Sequence, residues 1–368
     1  MSLKTILLLV LGLLLSVAAS AQTTLNPDVS LVGDLRAFTH DDESRAEEKE
    51  EFNLVSPEME LNVNGYLNPY ARADAVVAWH GDHNAEIEEL YATILRGLPL
   101  DMNLRAGKYL LEFGRLNPVH EHAWSFLKRP LPHEAFFGHE GLNDMAVRAS
   151  VYVPAGEALT EVMVAVLKGD ALRGHHDEEE AEAERVDPGF FARLTSSFAV
   201  TDDAELAVGA SVVNGVYEVH EDSAEATTQQ LRAWVGGVDI KYKYKPDRYT
   251  TLQLEAEGLL RSQKTEGDGD DLRSYGGYGY IDYRFRQRYN IGGILEYTNI
   301  EKLFSPAEPG KVNSETWRYG LFAGFSPVEE TSLLRLAGHW TEPEEADGFW
   351  EVTLQLVFSL GPHQPHYF

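Results

Sequence analysis

Apolar and polar residues alternate along most of this chain. Between Val29 and Leu360 the alternation recurs in stretches of about ten residues, the length of a tilted membrane-crossing strand. In 349–360, Trp350, Val352, Leu354, Leu356 and Phe358 share one face, and Glu351, Thr353, Gln355 and Ser359 share the other. In 252–260, Leu252, Leu254, Ala256 and Leu260 alternate with Gln253, Glu255 and Glu257. A period of two belongs to strands; a helix repeats every ~3.6 residues. Sixteen runs are predicted, beginning near residues 29, 53, 66, 86, 102, 144, 159, 189, 204, 230, 249, 272, 289, 315, 331 and 349.

The connectors between runs alternate in length. Short ones are Asn64-Gly65, 97–101, 154–158, 201–203, 246–248, Gln287-Arg288 and 327–330; Asn-Gly is a strong two-residue hairpin signal. Long ones are 39–52, 80–85, 112–143, 169–188, 214–229, 262–271, 301–314 and 342–348. Short turns at one end and long loops at the other describe an all-β fold, a transmembrane antiparallel β-barrel of about 16 strands with short periplasmic turns and long extracellular loops. A secreted β-sandwich also alternates, but this many long strands with one-sided loops and no cysteine pair fit it poorly.

The first residues bear on location. Lys4 precedes an apolar run from Ile6 to Leu15 that ends in Ala19-Ser20-Ala21, the pattern of a secretory signal peptide over residues 1–21. The mature barrel is then 22–368, exported to the cell outer membrane and in contact with its lipid. The chain has no cysteine, so the exported fold is held by hydrogen bonding and packing. Tyr is the commonest aromatic, with 17 copies against 16 Phe and 6 Trp, and Gly occurs 31 times, as suits a barrel with an apolar outside and a polar inside. The 31 basic residues against 59 acidic ones exclude general nucleic-acid binding, which needs basic surface.

One stretch carries a resemblance. Arg105 to Gly114 (RAGKYLLEFG), then Arg129-Pro130-Leu131-Pro132 and Glu140 to Asp144 (EGLND), resemble the strand–loop–strand of phosphate-selective porin O/P-like proteins. The chain also resembles uncharacterised barrels described as zinc-regulated outer-membrane receptors, through Asn26 to Ser30, the His-rich long loop and the Gly361-Pro362-His363 ending. The resemblance implies a porin fold and a homotrimer; it does not fix the solute. Anion selection needs an array of Lys or Arg at the constriction. Within 114–143 only Arg115, Lys128 and Arg129 are basic, so phosphate is disfavoured.

The expected function is passive passage of small hydrophilic solutes, with divalent metal ions among the candidates. The alternative is a metal-related outer-membrane receptor, or a structural barrel without open-channel activity. Inward acids (Asp34, Glu58, Glu60, Asp74, Asp239, Glu255, Glu257, Asp282, Glu296, Glu351) nearly balance inward bases (Arg36, Arg72, Arg105, Arg148, Arg193, Lys241, Lys243, Arg261, Arg284, Arg318, Arg335), which leaves the acidic surplus in the loops, densest in 41–51 and 170–187. Acidic mouths concentrate cations. His175-His176-Asp177-Glu178 mixes imidazole with carboxylate, as Zn²⁺ or another divalent ion prefers, or is a solvated acidic loop. His120, His122, His133 and His139 would line a constriction if loop 112–143 enters the pore, or would hydrogen-bond locally in a packed loop. His80-Gly81-Asp82-His83 is a weaker third candidate. The one cofactor candidate is Zn²⁺ or another divalent metal ion, and no G-x-S-x-G or triad spacing suggests an enzyme.

Overall fold

The computed structural model describes residues 27–81, 84–169, 172, 188–220, 228–264, 271–303, 311–328 and 331–361. The expected signal peptide and the segment His175–Glu178 lie outside the described residues, as do Asp82 and His83.

The alternating runs fold as strands β1 (Asp28–His40), β2 (Asn53–Leu54), β3 (Glu58–Asn68), β4 (Ala71–His80), β5 (Glu86–Ile94), β6 (Asn103–Leu110), β7 (Asn143–Ala155), β8 (Ala158–Leu167), β9 (Gly189–Thr201) and β10 (Ala204–His220). They continue as β11 (Thr228–Asp247), β12 (Thr250–Gln263), β13 (Leu272–Phe285), β14 (Tyr289–Leu303), β15 (Lys311–Phe325), β16 (Ser332–Pro343) and β17 (Phe349–Leu360). From β3 onward each strand pairs antiparallel with the next in sequence. β1 closes the ring by pairing β17 on one side, from Leu31↔Leu360 to His40↔Glu351, and β2 and β3 on the other. β2 and β3 are one strand broken at Val55–Pro57, where Pro57 has no N–H to give the ladder. The architecture is therefore a closed barrel of 16 antiparallel strands, with no free edge to template association.

Three details depart from the sequence expectations. The turn expected at Asn64-Gly65 is not there. Asn64 pairs Asp74 in mid-ladder, and the chain reverses at Pro69-Tyr70, where the Asn68 side chain accepts from the Tyr70 N–H at 2.8 Å. An Asx turn before proline's fixed φ outcompetes Asn-Gly here. Strands β10, β11, β14 and β15, with 17, 20, 15 and 15 residues, also run through parts of the expected loops 214–229 and 301–314. That exceeds the ~9–11 residues needed to cross, so the wall extends past the hydrocarbon at the loop end. Finally, β5 carries a bulge. Val76 pairs Glu89 while Val77 pairs Ile87, so Glu88 is the extra residue.

The alternation sorts the two faces. Outside stand Ile240, Leu254, Ile281, Leu295, Leu321, Leu336 and Leu354, all exposed. Aromatics form two bands on this face. Tyr283, Phe285, Tyr289 and Phe325 stack in succession at the turn end, and Tyr275, Tyr297, Trp317 and Tyr319 touch in succession towards the loop end, the first two contacts tilted and the last stacked. Two aromatic girdles flanking an apolar band mark the two interfaces of a bilayer. Inside, Asp34, Asp74, Arg148, Arg193, Asp239, Glu255, Glu257, Arg261, Asp282, Glu296, Arg318, Arg335 and Glu351 are buried in the lumen. The inside is not wholly polar, however. Val213, Val235, Leu259, Tyr278, Ile294 and Phe322 also face inward and are buried, and the loop between β6 and β7 is what covers them.

Candidate functional site: an inserted loop and the lumen wall

The chain between β6 and β7 folds into the barrel. Its entry is set by Gly114, which adopts φ +61°; a Cβ there would lie 2.4 Å from the carboxylate of Glu257, so side-chain-bearing residues are disfavoured twice over. The path continues through a 3-10 turn at Glu121–Ala123 to helix α1 (Leu131–Phe137), which packs on β13 and β14. Pro132 suits the first turn of α1, where its missing N–H is not required. Asn117 ties the two ends of the loop together: its amide donates to the carbonyls of Leu111 (2.7 Å) and Leu142 (3.0 Å), and its Oδ1 accepts from the Leu142 N–H at 2.8 Å.

Two apolar clusters seat the loop. In one, Leu111, Phe113, Phe136 and Phe137 pack against Val213, Val235 and Leu259 of the wall. In the other, Leu116, Trp124, Phe126 and Leu127 pack against Tyr278, Tyr280, Ile294 and Phe322. Polar contacts reach much of the ring. Arg115 pairs Asp239 at 2.7 Å, Ser125 donates to Asp282 at 2.8 Å, the Leu131 N–H donates to Glu296 at 2.8 Å, and Lys128 pairs Glu351 at 2.5 Å. Arg36 of β1 reaches Glu121 at 3.4 Å, and Arg129 holds Glu121 at 3.1 Å while lying over the Trp124 ring. Arg115, Lys128 and Arg129 of the loop are thus all paired with carboxylates.

The lumen wall is a lattice of opposite charges. Arg193–Asp239 (2.7 Å), Arg318–Glu296 (2.7 Å), Arg36–Asp34 (2.7 Å) and Arg284–Asp282 (2.9 Å) pair on it, and Arg105 and Arg148 converge on Glu112 at 2.9 and 2.5 Å. Beside the loop remains a cavity of about 500 Å³, lined among others by Ser30, Asn62, Asn64, Thr93, Asn103, Arg105, Glu161 and Lys241.

The structure separates the predicted histidines. His133 is fully enclosed on α1, with Nε2 2.8 Å from Glu257 Oε2, and the same carboxylate accepts from the backbone N–H groups of Arg115 and Leu116. It is a seating contact of the loop, apart from the other histidines. His139 is exposed beyond α1. His120 and His122 do come together. Their rings stack with centroids 5.9 Å apart, and both face carboxylates of the wall: His122 Nδ1 lies 3.1 Å from Glu60 Oε1, and His120 Nδ1 lies 3.6 and 3.5 Å from Glu60 Oε2 and Glu88 Oε2. His120 Nε2 lies 3.7 Å from Glu89, and His80 Nε2 lies 3.8 Å from Glu88 Oε1. Burial opposes charge on His120, but Glu60 and Glu89 outweigh it and hold this imidazole well above its ordinary pKa of 6.5. Glu88 was not foreseen as a site residue. Strict alternation cannot put Glu88 and Glu89 on one face; the bulge does so, as bulges re-aim side chains.

No family model matches the chain. It is 25% identical over 343 residues to an uncharacterized protein of Aquifex aeolicus (strain VF5), covering 87% of this chain and 71% of that one. Among solved structures, OmpT of Vibrio cholerae in a trimer form superposes with a TM-score of 0.59 at 9% identity, over 91% of this chain and 100% of that one. The outer membrane channel DcaP of Acinetobacter baumannii gives 0.55 at 12% identity, over 93% of this chain and 100% of that one. An anion-selective porin of Comamonas acidovorans gives 0.56 at 9%, over 91% of this chain and 100% of that one. At such identities the likeness is one of fold, and the fold is that of the outer-membrane porins.

Proposed function

We propose that this protein is an outer-membrane porin through which small hydrophilic solutes, divalent metal ions among them, pass down their gradients. The observation that carries the reading is the inserted loop. It turns a closed barrel into a narrowed one while a cavity of about 500 Å³, lined by both charged and apolar side chains, persists beside it. A mixed-charge, water-accessible lumen is the usual lining of a diffusion pore. The short turns then face the periplasm and the long loops the outside. Acidic groups of the loop after β1, including Glu43, Glu47 and Glu50, are exposed and would raise local cation concentration. The OmpT trimer form supports a homotrimer, which light scattering of the detergent-solubilised protein tests.

Catalysis has no part in this reading. The test is single-channel recording of the purified chain in planar bilayers in KCl. Discrete conductance steps are expected. Their absence, with the barrel folded, would favour a structural or receptor barrel instead, a second reading that draws on how tightly the two apolar clusters pack the loop.

A further inference from the structure

We propose that Glu60, Glu88 and His120 form a binding site for one divalent transition-metal ion, which clamps the inserted loop to β3 and β5. The proposal deepens the porin reading by naming a binding site within the lumen, but binding itself does not require conduction.

The donor geometry carries it. His120 Nδ1 sits between two carboxylate oxygens, 3.6 Å from Glu60 Oε2 and 3.5 Å from Glu88 Oε2. The three donor atoms lie within 4.8 Å of one another. These separations are long for hydrogen bonds. They match the edge of a coordination tetrahedron, about 3.4 Å for metal–ligand bonds of about 2.1 Å. Glu60 Oε2 and Glu88 Oε2 are shut off from solvent, make no hydrogen bond and turn toward the same imidazole nitrogen, as ligands of one cation would.

The far atom of each ligand faces another side chain. His120 Nε2 faces Glu89, Glu60 Oε1 is met by His122 at 3.1 Å, and Glu88 Oε1 faces His80. Carboxylates behind metal-bound imidazoles fix the tautomer and raise basicity. One imidazole and two carboxylates also suit the charge of a divalent ion, and the N/O set matches Zn²⁺ and its first-row neighbours. His120 lines the cavity, which leaves a fourth position for water or a passing solute.

The test uses full-length protein in detergent, stripped with a chelator and titrated with Zn²⁺ by calorimetry. His175→Ala with His176→Ala serves as background, to remove uptake by that segment. One site per chain is expected in this background. Its affinity should fall at least about tenfold in His120→Ala and in Glu88→Gln, with heat-modifiable migration retained. Unchanged affinity in both variants overturns the site. Should the variants fail to fold, X-ray absorption at the zinc edge of the background protein decides: one imidazole with oxygen ligands supports the site, and a shell of several imidazoles overturns it. Zn²⁺ binding without KCl conductance sinks the porin reading alone. Conductance with binding unaffected by either variant sinks the site alone.

Discussion

His133 and Glu257, 124 residues apart in the chain, meet at 2.8 Å with both side chains closed off from solvent. One belongs to the helix of the inserted loop and the other to β12. Their contact is the point at which a segment of the chain leaving β6 is fastened to the far wall of the barrel. Removing one partner of a buried hydrogen bond costs about 1–3 kcal/mol, here moderated by the Arg115 and Leu116 N–H groups that Glu257 keeps. His133→Leu is therefore expected to lower the denaturant midpoint of the folded protein in micelles and to make the loop accessible to protease. Resistance equal to wild type would contradict this role.

Phe126 lies at the middle of the second apolar cluster, edge-on to Tyr280 at 5.1 Å and Tyr278 at 6.4 Å. Phe126→Ala should cost about 3–5 kcal/mol, as aromatic truncation in a packed core does. The loss is expected in loop seating more than in barrel closure. Protease nicking within 115–140 should appear while strand content by circular dichroism is preserved.

Replacing residues 115–140 by a short polar turn should leave the barrel closed, since its ladders do not pass through the loop. Single-channel conductance in KCl should then rise severalfold. The inward faces of Ile294 and Phe322 should become wet and take up a hydrophobic dye. An unchanged conductance would mean the loop is not what narrows the path.

Deleting Glu88 should restore a regular ladder between β4 and β5, because it is the one residue there without a counterpart. The expected result is a folded barrel with near-normal KCl conductance and no high-affinity Zn²⁺ uptake. Full Zn²⁺ binding by the deletion would argue that Glu88 is not a ligand.

Lys128 supplies a pH signature. Burial of its ammonium lowers its pKa below 10.5; Glu351 pulls the other way, and Arg318 and Arg45 add to the lowering. Between that depressed folded value and about 10.5 the unfolded chain holds more protons at this site, so stability rises with pH across the window, and the cost is fully present below it. Lys128→Met should flatten that part of the stability profile, with Glu351 still held by Arg45 at 2.8 Å. Identical slopes in variant and wild type would remove Lys128 from the account.

Much of this fold could be read from the chain because a barrel wall obeys a local rule. Each strand announces itself by period two, whatever its neighbours do, and charge placement inside the lumen followed from the same parity. The rule failed where structure depends on distant contact. Asn64-Gly65 looked like a turn, but ladder pairing carried it straight through to Pro69. Glu88 needed a bulge that no period announces. Tyr278, Ile294 and Phe322 broke the polar-inside expectation, because their partner is a segment some 150 residues earlier or more. The four loop histidines looked alike in sequence; only the loop's path sends His133 to β12 and brings His120 and His122 to β3 and β5. The pair His175-His176 stands outside the described residues, so its role rests on composition.

The break between β2 and β3 has a mechanical meaning. A continuous ladder around a ring distributes lateral pressure evenly, and Val55–Pro57 is a seam where the strand is interrupted and the Val55 N–H to Arg36 and Gly81 N–H to Pro57 bonds carry it across. The inserted loop spans the ring from Glu60, just past that seam, to Asp239 of β11 on the opposite arc. It is a spoke as well as a sieve. It braces the interrupted part of the wall against flattening, so that whatever loosens the spoke should also soften the tube.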